Sequence, residues 1–91
     1  MPEQASCLQV SDHAERRWLE RSEAPCMAVL NAWGAATPIY GHGLEGDEVR
    51  YHELSETVLV RKNTQLVTVI HAPTAKLTVR RAVHHFGGRS E

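Results

Sequence analysis

His13, Arg17 and Arg21 stand four residues apart in the stretch Ser11–Ser22. At about 100° per residue, that spacing draws them into one stripe along a helix. An imidazole takes or gives a proton near neutral pH, and a guanidinium offers two parallel hydrogen bonds to a phosphate or carboxylate. The stripe therefore has the parts of a general base beside an anion clamp. The competing reading is an ordinary solvated helix face, and spacing alone does not separate the two.

The helix that carries them is well signalled. Ser11 suits an N-cap, Asp12 and Glu15 put negative charge in the first turn, and Ala14 and Trp18 are the core contacts beside the stripe. A second helix is expected from Glu23-Ala24-Pro25, with Cys26, Val29, Leu30 and Trp33 on one apolar face and Gly34 as its stop. Cys7 and Cys26 form no paired motif and read as free thiols, Cys26 within the core.

From Ile39 the period changes. Ile39-Tyr40 reads as a short strand, and Glu48–Leu54 alternates, with Val49 and Tyr51 on one side and Arg50 and His52 on the other. Thr57–Lys62 and Leu66–His71 are β-branched and apolar, joined by a turn at Asn63-Thr64. After Ala72-Pro73, the recurrence of Ala75, Val79, Ala82, Val83 and Phe86 predicts a closing helix ended by Gly87-Gly88. The fold class is then α+β: two N-terminal helices packed on a three- to four-stranded antiparallel meander, with a short C-terminal helix. Residues 1–10 are expected to form a flexible lead-in, 11–86 a single domain and 87–91 a flexible tail.

Several other side chains qualify as site residues. His71 ends the strongest strand, Tyr51, His52 and His71 are candidates for a general acid, and Arg61 and Lys62 can extend a basic surface. His42, His52, His71, His84 and His85 lack the i,i+4 pairing and the cysteine pairs of a zinc site, so no metal is expected. Gly41-His42-Gly43 with Gly46 lacks the Lys-Ser/Thr end of a phosphate loop and reads as a flexible hairpin loop.

Ninety-one residues with a net charge of −1 is one domain, and one that does not coat nucleic acid by charge alone. The charge is uneven. Acids dominate from Gly43 to Glu56, and only bases occur from Lys76 to Arg89. There is neither a span-length apolar run nor a signal pattern at the start, so a cytoplasmic protein with no membrane partner is expected.

The pattern His-Ala-x-x-Arg-x-x-x-Arg at His13, Ala14, Arg17 and Arg21, followed by Val58–Asn63 and then Leu66–Ile70, resembles the small bacterial and phage domains placed near the barnase/EndoU/colicin/RelE-like ribonuclease fold. The likeness covers Ser11–His71, and the segment Lys76–Gly88 departs from it. What the resemblance implies is a toxin that cuts RNA by 2′-OH transesterification, without metal or cofactor. In that reading His13 is the general base or acid, Arg17 and Arg21 hold the scissile phosphate, and Thr68 adds a hydroxyl. Arg61, Lys62, Tyr51 and His71 would contact the RNA. The partners implied are RNA and an antitoxin or other protein. The alternative is a non-enzymatic accessory protein, phage- or plasmid-borne, that uses the same fold to bind a protein.

Overall fold

The computed structural model describes residues 8–86. Among them are strands β1 (Gln9–Val10), β2 (Thr37–Pro38), β3 (Glu48–His52), β4 (Thr57–Lys62) and β5 (Gln65–His71), and helices α1 (Asp12–Arg21), α2 (Val29–Ala35) and α3 (Leu77–Phe86). A 3-10 turn at Ala72–Thr74 leads into α3. The class is α+β as expected, but the sheet is five-stranded and mixed, in the order β1-β5-β4-β3-β2. β2, β3, β4 and β5 form the antiparallel meander. β1 adds to it in parallel, with Gln9 opposite Gln65 and Val10 opposite Leu66.

That fifth strand corrects the expected all-antiparallel sheet. It also draws the last two residues of the expected lead-in into the fold. Two residues carry no readable period, so only pairing reveals them: Gln9 N–H donates to the Thr64 carbonyl at 2.8 Å, and Ser11 N–H to that of Leu66 at 3.0 Å. Cys7 and the tail 87–91 lie outside the described residues.

Ser11 caps α1 as anticipated, its hydroxyl accepting from Ala14 N–H at 3.0 Å. α2 begins later than its sequence suggests. Pro25–Met27 form a turn, anchored by Trp18 Nε1, which donates to the Met27 carbonyl at 2.8 Å. Val29, Ala32 and Trp33 of α2 are buried, whereas Leu30 and Cys26 are exposed, which corrects both as core residues. Gly34 lies inside the last turn of α2 rather than beyond it.

The sheet has a core on each face. Ala14, Trp18, Val29, Ala32 and Trp33 pack against Leu59, Leu66 and Val69 on one side. On the other, Val79 and Ala82 of α3 cover Ile39, Val49, Val58 and Val60. β4 is buried on both faces, so it reads as a continuous apolar run. Arg50 helps to hold α2 down: its guanidinium lies 4.2 Å from the Trp33 ring and donates to the Trp33 carbonyl at 2.9 Å. The glycine-rich loop is anchored rather than free. Leu44 packs into the second core, and a Cβ at Gly46 would stand 2.6 Å from Val60 Cγ1.

Candidate functional site

α1 lies along the edge of β5 that β1 leaves unpaired. The Ser11 hydroxyl donates to the Val67 carbonyl at 3.4 Å, and Arg21 Nη1 to that of Val69 at 3.1 Å. Side chains thus satisfy carbonyls that would otherwise form an open strand edge. Helix and strand run the same way, so their C-terminal ends meet.

A cleft of about 470 Å³ opens where they meet. Arg21, Ser22 and Glu23 line it from the helix side, with His71, Thr74 and Ala75 from the strand and the turn after it. His71 is held from both ring nitrogens: Nε2 is 3.4 Å from Glu23 Oε2 and Nδ1 is 3.0 Å from Thr74 Oγ1. With the ring hydrogen on Nε2, the imidazole donates to the carboxylate and accepts at Nδ1. A carboxylate behind an imidazole fixes its tautomer and stabilises the imidazolium that forms on proton uptake. Arg21 keeps donors beyond the one given to Val69 and faces the same space.

Two of the residues singled out in the sequence, Arg21 and His71, therefore come together. Arg17 is adjacent, since its Nη1 is 2.7 Å from Oε1 of Glu20, another residue lining the cleft. His13 does not join them. It is exposed in the first turn of α1, eight residues before Arg21, which is about 12 Å along the axis at 1.5 Å per residue. Thr68 pairs with Val60, whose side chain packs beneath α3, so Thr68 stands on the sheet face away from α1. Tyr51 packs against that same α3-side core.

Arg61 lies in a second, smaller cleft of about 230 Å³ with Tyr40, His42 and Glu48, its Nε 3.4 Å from Glu48 Oε1. Lys62 is exposed at the end of β4. His52 is buried, with Nδ1 2.7 Å from Ser55 Oγ, which is in turn 2.6 Å from Thr57 Oγ1. Burial lowers the pKa of His52, and of His42, from the ordinary 6.5. Neither the cleft nor solvent reaches His52 in a way that suits proton exchange with a substrate.

In the sequence Glu23 reads only as part of a helix start, and nothing marks Thr74 as a site residue. Their pairing with His71 depends on how α1 docks on β5, and no local spacing encodes it. Among the described residues, no group of three His, Cys, Asp or Glu side chains is placed to hold a metal ion, and no helix is long and apolar enough to cross a membrane.

No curated protein and no solved structure matches the chain. Residues 10–73 match the Halo_toxin family, described as "Putative RelE superfamily toxin domain". That span holds Val10 of β1, all of β2 to β5, α1, α2 and the cleft residues from Glu20 to His71, while Thr74 and Ala75 lie just beyond it. With most of its length inside the match, the chain belongs to the Halo_toxin family of RelE-superfamily toxin domains.

Proposed function

We propose that this toxin domain is an endoribonuclease that cuts RNA at the cleft between α1 and the end of β5, with a fold of the barnase/EndoU/colicin/RelE-like kind. The observation that carries the reading is the Glu23–His71 pair facing the same concavity as Arg21. His71 takes the proton from a ribose 2′-OH at Nδ1, as the Thr74 hydroxyl turns from that nitrogen to the His71 carbonyl 3.4 Å away, and Glu23 steadies the resulting imidazolium. The 2′ oxygen forms a bond to the adjacent phosphorus, and the P–O5′ bond breaks. The 5′ oxygen takes up a proton from solvent, leaving a 2′,3′-cyclic phosphate and a 5′-OH. Arg21, supported by Arg17, stabilises the charge that grows on the phosphoryl oxygens. The base is thus His71 rather than His13, because the helix carries His13 away from the clamp. The reaction calls for no cofactor and takes place in the bacterial cytoplasm.

The test is incubation of the purified chain with end-labelled RNA and analysis of the product ends. Cyclic phosphate ends are expected from the wild type, lost when the scissile 2′-OH is removed and reduced at least a hundredfold by His71→Ala. If the wild type leaves RNA intact and its expression does not slow growth, the nuclease reading is wrong.

A second reading, a domain that acts by binding a protein such as an antitoxin, is favoured by one feature. Tyr40 and Phe86 meet edge to face at 5.2 Å while remaining exposed. Aromatic pairs of this kind anchor protein interfaces.

A further inference from the structure

The cleft has cations beyond its rim that neither the chemistry above nor the family match uses. Between Glu56 and Glu91 the sequence contains no acid. Within that stretch α3 turns Val79, Ala82 and Val83 to the sheet. Lys76, just before it, and Arg80, Arg81, His84 and His85 along it are exposed. Among the described residues, none of Lys76, Arg80 and Arg81 has a carboxylate partner. The family match ends at residue 73, before α3 begins.

One contact fixes this cationic face relative to the cleft. Arg80 Nε donates to the Ala75 carbonyl at 3.0 Å, and Ala75 lines the cleft. The guanidinium is thereby drawn back past the start of α3 to the residues that precede it, and Lys76 follows Ala75 in the chain. A line of positive charge starts at the edge of the cleft and continues along the outer face of α3.

We infer that Lys76, Arg80 and Arg81 form a phosphate track for single-stranded RNA, holding the strand on one side of the nucleotide cut in the cleft. The inference rests on the nuclease reading of that cleft. A chain whose net charge is −1 cannot gather RNA by its overall field, so affinity must come from such a local concentration of cations. An anionic membrane surface is a poorer match, because a helix lying on a bilayer buries a broad apolar face, and that of α3 is already occupied by the sheet.

The test uses full-length chain carrying His71→Ala, so that bound RNA survives. Fluorescence anisotropy with a labelled single-stranded RNA of about 20 nucleotides is measured over a range of salt concentrations. The log–log slope of affinity against salt changes by about 0.7 for each single-strand phosphate contact. Lys76→Glu with Arg81→Glu is expected to weaken binding more than tenfold at low salt and to flatten the slope by at least 1. Both residues are exposed, and circular dichroism verifies that the variant is folded. Unchanged affinity and slope overturn the track while leaving the nuclease reading intact. Binding to phosphatidylglycerol vesicles but not to RNA also overturns it. Track-dependent binding combined with no cleavage by the chain that retains His71 instead sinks the nuclease reading and leaves the RNA surface standing.

Discussion

Arg21 reaches across from α1 to give one guanidinium hydrogen bond, 3.1 Å long, to the backbone carbonyl of Val69, 48 residues further along the chain. The same side chain lines the cleft. One residue thus helps to close the open edge of β5 and supplies positive charge to the candidate site. Its substitution should show in stability as well as in chemistry. Arg21→Ala leaves the carbonyl without its partner and is expected to cost about 1–2 kcal/mol, with Tm falling by about 5–10 °C. Arg17→Ala, which removes an exposed pair three residues along the same helix, should change stability by less than about 0.5 kcal/mol. Thermal melts followed by circular dichroism compare the two, and equal losses would show that the Val69 contact contributes nothing.

The Glu23–His71 pair makes the opposite expectation. Glu23 is more than half exposed, so its ion pair adds little to folding. Glu23→Gln should leave Tm within about 2 °C of wild type. Cleavage of RNA should nonetheless fall by about tenfold to a hundredfold, because the imidazolium loses its counter-charge. A loss of activity that merely tracks a loss of stability would remove Glu23 from the mechanism.

How α1 is wound explains which parts of the site can be read from the sequence. Ser11, Asp12, Ala14 and Trp18 announce the helix and its buried side, and the structure agrees. Residues four apart do not stay on one line, however: each step of four advances about 40° around the axis. From His13 to Arg17 to Arg21 the stripe drifts from open solvent toward the line of Ala14 and Trp18, and only Arg21 arrives at the sheet. Spacing therefore identifies the helix, while the drift decides which of the three side chains reaches the sheet. The three long strands and α3 were legible because each has a long period. β1, only two residues long, and the contacts of Glu23 and Thr74 with His71 depend on tertiary pairing alone.

Gly46 is a place where the loop between β2 and β3 has no room for a side chain. A Cβ there would lie 2.6 Å from Val60 Cγ1 and 3.2 Å from the carbonyl oxygen of Arg61. Val60 is buried in a strand packed on both faces, so it cannot swing aside. Gly46→Ala is expected to destabilise the chain by about 1–3 kcal/mol. Gly34→Ala, where nothing lies within 4 Å of the added carbon, should be neutral or slightly stabilising because Gly34 sits in a helix. Urea unfolding of the two variants measures the contrast, and a Gly46→Ala midpoint equal to wild type would contradict the packing.

His52 makes folding sensitive to acid. It sits beneath Trp18, with ring centroids 6.4 Å apart, and its Nδ1 meets the hydroxyl of Ser55 in a buried chain that ends at Thr57. Burial lowers its pKa in the folded state below the 6.5 of the unfolded chain. Just below pH 6.5 the unfolded state therefore binds the proton more readily. Stability is complete above 6.5, declines as pH falls toward the folded-state pKa, and levels off beneath it. His42, lowered by the same cause, acts with the same sign. Urea unfolding should thus give a lower free energy at pH 5.5 than at pH 7.5, and His52→Asn should reduce that difference while lowering stability at both. Ser55→Ala tests the network from the other end. It removes a hydroxyl partner from both His52 and Thr57 and is expected to cost about 1–3 kcal/mol even at pH 7.5. If His52→Asn leaves the pH dependence of wild type unchanged, the buried imidazole is not its source, and His42 or the acidic groups elsewhere on the chain must be.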